Sequence, residues 1–347
     1  MSFFGNPLRT KGAESVLLIE VSASSVAGAY VRYVVGETPF IAYARRIQIE
    51  VRVDEPKENA MLRALASLGE GLIREGAPAL ARASGSGSVK AIIVSFGAPW
   101  EETMLYTEQF EQEVPFTFTK DLVEAALKKN RVDMPGKRLA DESVIGTILN
   151  GYDTKDPYGK ETRRASVVIL SSFIEESVVE GVTTTLRRLF HTKDIVPIAS
   201  NSLFYQAIRK TFPHERNAVI LDATGSETFI ALVRNDVFTA LAEVPAHTGN
   251  TDAWLETLKE KLAELAKHFP LPRTVFLLSR EEETLSLRNT LDAAKLSSLW
   301  LSDNPPKVVP LLASHVSNFI RQGSPTPPDL LIILMVLFYQ YCGKDKC

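Results

Sequence analysis

The 347-residue sequence predicts an α/β protein built as two lobes, and three observations support this prediction. Short aliphatic and β-branched runs, typical of buried strands, alternate with longer segments of helical periodicity. The pattern of strand, small polar turn and strand occurs twice, at 16–35 and at 217–233. The length also suits two domains, since a typical domain has about 100 to 200 residues. We therefore expect a bilobal fold in which each repeated unit begins one lobe.

The composition is that of an ordinary globular protein. Hydrophobic residues make up 45% of the chain and the net charge is −3. A nucleic-acid-binding protein would usually carry a basic excess on one face, so nucleic acid is not an expected partner. The two cysteines, Cys342 and Cys347, provide neither a disulfide framework nor a zinc ligand set, which favours the cytoplasm. Residues 1–15 lack the apolar core of a secretory signal, and a short tether there remains an alternative.

The first lobe is predicted to begin with three strands and a helix. Strands are expected at 16–21, 26–35 and 40–51, followed by a helix over 57–83 that is rich in Ala, Leu, Glu and Arg. The Gly/Ser segment 84–88 indicates a flexible linker. We expect 1–88 and 171–215 to form this lobe, and 216–347 to form a reduced second lobe.

Residues 89–170 are predicted to form a small inserted α+β subdomain. Strand candidates lie at 89–96, 100–110, 114–118 and 166–170, with a helix beginning at Asp121. The turn cluster 153–159 comes near the end of the segment.

Helices and strands also alternate through the rest of the chain. Helices are predicted at 175–190, 203–210 and 254–268, a helix start at 281–283, and a strand at 274–278. Segments 305–310 and 324–328 read as loops. The apolar run 330–339 has about half of the ~20 residues that a membrane-spanning helix needs. We expect a buried helix there, capped by Asp329.

Four segments resemble the FtsA and PilM group of actin-like ATPases, over most of the chain. They are ILNGYDTKDPYGKETRRASVVIL at 148–170, PIASNSLFYQAI at 197–208, VILDATGSETFIALVRNDVF at 219–238 and VPAHTGNTD at 244–252. The resemblance implies an actin-like (ribonuclease H-like) fold with a small inserted subdomain, and ATP with Mg²⁺ in a cleft between the lobes.

The resemblance also carries residues of the nucleotide site onto this chain. The second phosphate loop would use Asp222, Thr224, Gly225 and Thr228, with Asp222 as the magnesium residue and Thr224 where the family has glycine. For Asp222 and Thr228, an ordinary Asx turn in a β-hairpin is the alternative. The first loop would offer Ser22, Ser24 and Ser25 as donors, with Glu20 at the family's Asp position and Ser22 at its Gly.

The adenosine element departs furthest from the family. Ser279 lies there, but Leu278, Arg280 and Glu281 surround it where the family has a Gly-Gly pair. The segment 239–274 is also short for the subdomain that covers the nucleotide in FtsA. We therefore expect ATP with magnesium to bind weakly or not at all.

The favoured function is that of a cytoplasmic scaffold at the inner membrane. A PilM-like role implies a short N-terminal peptide of a PilN-like inner-membrane protein, from a pilus or division complex, held in a groove of the small subdomain. An FtsA-like, ATP-binding division protein would need an amphipathic C-terminal helix, and 330–342 is apolar nearly all round. Self-association remains open.

An active ATPase or kinase of this fold is the other alternative. Such an enzyme needs a general-base Asp and an intact glycine-rich adenosine loop, and neither is evident. We expect at most weak ATPase activity. The five histidines show no metal spacing and no Ser/His/Asp order: His191, His214, His247, His268 and His315.

Overall fold

The computed structural model describes residues 12–129, 132–247, 250–294, 296–300 and 306–342. Within these residues the strands form three sheets. The expected N-terminal tether falls largely outside them, as do Cys347 and Pro305.

The first sheet has six strands in the order β15-β3-β2-β1-β4-β9. Strands β1 to β3 form an antiparallel meander, while β4 and β9 are parallel to β1. The bounds are β1 Glu14–Val21, β2 Ser25–Tyr33, β3 Phe40–Gln48, β4 Ala91–Phe96, β9 Ile195–Ala199 and β15 Arg321–Gln322.

Alternation along β1 divides its side chains between two helical layers, because successive residues of a strand point to opposite faces. Leu17 and Ile19 pack against one layer, whereas Val16 and Leu18 face the other. The first layer contains α1 Lys57–Gly71, a π-turn over Leu72–Gly76, α2 Ala77–Ser84 and α4 Glu176–Phe190. The second contains α5 Ser200–Thr211 and α9 Leu330–Cys342.

The second sheet repeats this plan in the order β12-β11-β10-β13-β14. Its first strand pairs antiparallel with the next strand and parallel with a later one, as β1 does with β2 and β4. The strand bounds are β10 Ala218–Asp222, β11 Glu227–Arg234, β12 Val237–Pro245, β13 Thr274–Leu278 and β14 Lys307–Pro310. The predicted duplication of the strand–turn–strand unit is confirmed.

Helices α6 Thr251–His268 and α7 Glu281–Ala293 cover one face of the second sheet, and α5 with α9 covers the other. The prediction of a loop over 305–310 is wrong for Lys307–Pro310, which pairs as β14 with β13. Val308 is buried there, and this edge strand forms its backbone hydrogen bonds despite Pro306 before it and Pro310 at its end.

The third sheet has the order β5-β8-β6-β7 and belongs to the inserted segment. It consists of β5 Glu101–Thr117, β6 Lys137–Leu149, β7 Tyr152–Asp153 and β8 Glu161–Glu175, with α3 Lys120–Lys129 on one face. The two strand candidates at 100–110 and 114–118 are one strand with an irregularity between Glu111 and Phe116.

Two predicted boundaries need correction. Ala91–Phe96 pairs with β1 and β9 as β4, so the inserted segment begins after this strand and not at residue 89. The C-terminal segment was assigned wholly to the second lobe, but β15 pairs with β3 and Tyr33 donates to the Val336 carbonyl at 3.0 Å. The chain therefore returns to the first lobe at its end.

The C-terminal helix is buried as predicted, and Leu334 is 0% exposed. Asp329 caps it, since its Oδ1 accepts from the Ile332 amide at 3.0 Å. No helix among the described residues has the length and apolarity to cross a membrane. Three short helices also lie among the described residues: a 3₁₀ turn at Leu296–Leu299, α8 Ala313–Val316 and a 3₁₀ turn at Ser317–Phe319.

Candidate functional site

The candidate site is a cleft between the lobes at the carboxyl ends of β1, β10 and β13. In α/β folds, ligands generally bind outside these strand ends. A cavity of about 220 Å³ lies there. Four predicted residues line it, together with two arginines that the prediction did not assign to binding: Ser22, Ser25, Thr224, Ser279, Arg46 and Arg280.

The first loop uses its own hydroxyls to close a tight turn. Ser22 Oγ donates to the Ser25 carbonyl at 3.0 Å, and the Ser22 amide donates to the same oxygen at 3.0 Å. Ser24 Oγ accepts from Arg280 of the second lobe. The three serines predicted as phosphate donors are therefore engaged by protein groups.

Glu20 of β1 is held by an arginine of β3, in the same meander. Arg46 Nη1 donates to Glu20 Oε2 at 2.8 Å and to Ser25 Oγ at 2.6 Å, while its Nε donates to Asp329 Oδ2 at 2.8 Å. Burial raises the pKa of Glu20, and the Arg46 charge opposes that rise. Burial disfavours charged Arg46, yet the carboxylates of Glu20 and Asp329 hold its guanidinium pKa above the ordinary value.

The second loop forms the Asx turn considered as an alternative. Asp222 Oδ1 accepts from the Thr224 amide at 2.9 Å and from Thr224 Oγ1 at 2.6 Å. Burial raises the pKa of Asp222, which works against its ionised form. Gly225 lies close to Ala98, and a Cβ on it would come 3.4 Å from the Ala98 Cβ.

Thr228 lies apart from the other predicted site residues. It is fully buried, and its Oγ1 accepts from Trp254 Nε1 at 2.9 Å beneath α6. It lines neither the 220 Å³ cavity nor the narrow gap beside it. The other predicted loop residues thus lie at the cleft, whereas the Thr228 side chain lies in the second-lobe core.

The third loop links the two lobes. Ser279 and Thr284 share a hydroxyl hydrogen bond of 2.8 Å that fixes the first turn of α7. Arg280, at the N-cap of α7, extends to the first lobe, where its Nη2 donates to Ser24 Oγ at 2.5 Å. The guanidinium therefore crosses the cleft from the second lobe to the first loop.

These residues do not fit ATP with magnesium well. Among the described residues there is no group of three His, Cys, Asp or Glu side chains placed to hold a metal ion. Asp222, the expected metal residue, is buried, has a raised pKa and accepts hydrogen bonds from Thr224. Ser24 Oγ and Ser25 Oγ accept from the two arginines, while Ser22 Oγ and Thr224 Oγ1 donate within their own loops.

Glu101 is an important polar residue that the sequence reasoning missed. It opens β5 and accepts from Ser200 Oγ at 2.5 Å and from the Asn201 amide at 3.1 Å. These bonds cap α5, whose own N-cap residue, Ala199, has no capping side chain. Burial raises the pKa of Glu101 to about 8. Asp141 of β6 adds a bond from Ser202 Oγ at 3.0 Å, so two carboxylates fix the inserted sheet to α5.

A second concave surface, here called the groove, lies between the inserted sheet and the β11–β12 hairpin. Its volume is about 570 Å³. One wall is 144–147 of β6 with the turn that contains Tyr158, and the other is 235–237 of the hairpin with Arg209 of α5.

The whole structure resembles known structures at low sequence identity. It is similar to the PilM–PilN type IV pilus biogenesis complex, with a TM-score of 0.59 and 15% identity, over 97% of this chain and 100% of that chain. A Bacteroides thetaiotaomicron protein with an actin-like ATPase fold and unknown function matches at a TM-score of 0.43 and 10% identity, over 86% and 91%. An Aquifex aeolicus member of the Ppx/GppA family matches at 0.40 and 10%, over 88% and 78%.

No protein-family model matches the chain, and no curated protein matches its sequence. The similarity to the PilM–PilN structure, together with the strand order, is evidence for the fold alone. The predicted bilobal actin-like fold with a small inserted α+β subdomain is confirmed.

Proposed function

We propose that this chain is a PilM-like scaffold at the cytoplasmic face of the inner membrane. It binds a short peptide of a PilN-like membrane protein in a type IV pilus assembly platform, and its interlobe cleft is a degenerate ATP site. The domain plan that goes with this proposal is two actin-like lobes with the inserted unit beginning near Glu101.

The contacts of Arg46 and Arg280 in the cleft carry the proposal. One guanidinium joins Glu20 to Asp329, and the other reaches Ser24 from the opposite lobe. A magnesium-bound triphosphate would need the same space and would have to displace both arginines from their partners. Catalysis on ATP also requires positioned donors that are free to meet developing charge. The chain is therefore better suited to holding a partner than to turning over a nucleotide.

The groove is the place we assign to the partner peptide. Val144, Ile145 and Val237 give it an apolar part, and Lys155 with Arg209 adds charge at its rim. Among the described residues, the β6 side of the groove is a strand edge that pairs with β7 at Ile148 and Leu149, and its Thr147 carbonyl accepts from the Thr154 amide at 2.8 Å. An extended peptide gains main-chain hydrogen bonds at such an edge and specificity from the adjacent pockets.

Peptide binding tests the proposal. The probe is a fluorescently labelled N-terminal peptide of a PilN-like inner-membrane protein, titrated with the purified full chain. We expect saturable binding that Arg209→Glu weakens at least tenfold, because this exposed side chain lines the groove. Lys193→Glu, an exposed charge reversal in the loop before β9, is the matched control and should bind as the wild type does.

Three results would contradict this function. They are the absence of peptide binding, equal weakening by both charge reversals, and ATP turnover at a rate typical of kinases. The last result would favour the alternative of an active ATPase or an ATP-binding division protein of the same fold.

A further inference from the structure

The groove and the cleft lie at opposite ends of the second sheet. Asp222 pairs with Phe229 at the cleft end of β10, whereas Ala218 pairs with Val233 at the other end. The hairpin turn Asn235–Asp236 follows β11 at that second end, and both of its residues have positive φ. Strand β10 has five residues, so the two ends are separated by about 13 Å at ~3.3 Å per residue.

Contacts across the groove join the second lobe to the inserted sheet. Asn235 Nδ2 donates to Asp153 Oδ2 at 3.2 Å. Gly146 of β6 lies directly against the hairpin, since a Cβ on it would come 2.7 Å from Val237 Cγ1. A movement of the hairpin relative to β6 therefore changes the width of the groove.

A packed layer of helices lies between the two ends. Helices α5 and α9 fill the space between the first and second sheets, with Tyr205 among their core residues. The Tyr205 hydroxyl donates to the Asp236 carbonyl at 2.6 Å, and its ring lies 3.8 Å from that of Phe238. Close-packed layers of this kind do not deform continuously and serve as pivots for rigid lobes.

The inserted sheet moves with α5. Glu101 and Asp141 bind the first turn of that helix through Ser200, Asn201 and Ser202. The inserted sheet, α5 and the first sheet therefore form one arm, and the second sheet forms the other. The hydrogen bond from Arg280 to Ser24, here called the latch, joins the two arms at the cleft end.

We propose that the latch controls the groove: closure of the cleft by Arg280 and Ser24 holds the groove open for the partner peptide. The second sheet pivots on the face of the α5–α9 layer that it packs against, so an approach of the two arms at the cleft end is a separation at the groove end. Arg280 thereby stabilises one arrangement of the lobes, as a bound ligand does in a two-state protein. By linkage, the peptide must favour the latched state by the same factor that the latch favours the peptide.

Distance measurements by pulsed electron spin resonance test the coupling without the peptide. In a Cys342→Ala and Cys347→Ser background, which removes both native cysteines, Val53→Cys with Leu285→Cys reports on the cleft side, and Tyr152→Cys with Arg234→Cys reports on the groove. Val53, Leu285 and Tyr152 are 93%, 68% and 77% exposed, so labels at these sites leave the core intact. Arg280→Ala should lengthen the first distance and shorten the second, and Ser24→Ala should do the same.

Arg288→Ala is the matched control. Arg288 is an exposed arginine on the same helix that pairs with Asp292, away from the lobe junction. Neither distance should change in this variant. Unchanged distances in the latch variants, changes of the same sign at both sites, or an effect of Arg280→Ala that Ser24→Ala does not reproduce would overturn the proposal.

The second measurement rests on the proposed function. The labelled peptide described above should bind Arg280→Ala and Ser24→Ala about fivefold or more weakly than the wild type, within the range usual for coupled sites. Peptide that binds all variants equally would overturn the coupling. Peptide that binds none of the proteins would refute the peptide function alone, and the distances would still decide whether the latch moves the lobes.

Discussion

Arg46 donates to Glu20 at 2.8 Å within a site where Glu20 is only 2% exposed, and the same guanidinium reaches Asp329 at the start of α9. This contact places a cation beside the buried acid near the end of β1. It also ties the first sheet to the C-terminal helix. The contact is therefore part of the fold's stability as well as of the site.

Removing Arg46 should destabilise the protein strongly. Arg46→Ala leaves Glu20 buried without its cation, and breaking such a pair from one side costs about 3 kcal/mol or more. Urea unfolding measures the loss. Arg45→Ala is the matched control, because Arg45 pairs with the half-exposed Glu75 and an exposed pair contributes about 0 to 1 kcal/mol. Equal losses in the two variants would show that the Glu20 contact has no special weight.

The stability of the protein should fall as the pH rises from about 4.5 to about 8 because of Glu101. Its folded-state pKa, about 8, lies above the ordinary value of 4.5 for an exposed glutamate carboxyl. The stability that its protonated form contributes is therefore fully present below the unfolded pKa and is lost as the pH rises through 8.

Glu101→Gln should remove this part of the pH dependence, since the amide stays neutral and keeps an acceptor for Asn201. The comparison is the urea midpoint at about pH 6 and about pH 9, because the titration of Glu101 falls between them. Glu102→Gln, at the adjacent half-exposed position, should retain the wild-type slope. If the dependence of stability on pH is unchanged in Glu101→Gln, the loss of stability belongs to another group.

The C-terminal helix should behave as core. Leu334→Ala should cost about 2 to 5 kcal/mol, because it removes a fully buried side chain and leaves a cavity. Leu285→Ala, at a position that is 68% exposed, should change the unfolding free energy little. Hydrogen exchange gives a second reading, and rapid exchange throughout 330–342 in the monomer would contradict the buried helix.

Hydrophobic pattern made most of the fold predictable. The run at 330–339 is too short to span a membrane and too apolar to lie on the surface, so it predicts a buried helix. Asp329 before it predicts the N-cap. Strand β4 was misplaced because the Gly/Ser linker before it looks like a domain boundary. Its pairing with β1 joins residues that are 75 apart in sequence, such as Val16 and Ala91, and no local pattern records such a contact.

The site was predictable only in part. The resemblance predicted which loops form the site, and Ser22, Thr224 and Ser279 of these loops line one cavity. The direction of a side chain does not follow from its place in a motif: Thr228 turned to Trp254, and Arg280 crossed to Ser24. Arg46 lies in β3, and the spacing of residues in that strand does not show that its partner is a buried acid of β1.

Calorimetric titration of the full chain with ATP and magnesium tests the central claim most directly, namely that the chain's own arginines occupy the nucleotide cleft. We predict no binding, or a dissociation constant no lower than the high micromolar range, about 5 to 6 kcal/mol of binding free energy. If residual binding depends on Asp222, Asp222→Ala should abolish it without unfolding the protein. A submicromolar dissociation constant for the wild type would contradict the account.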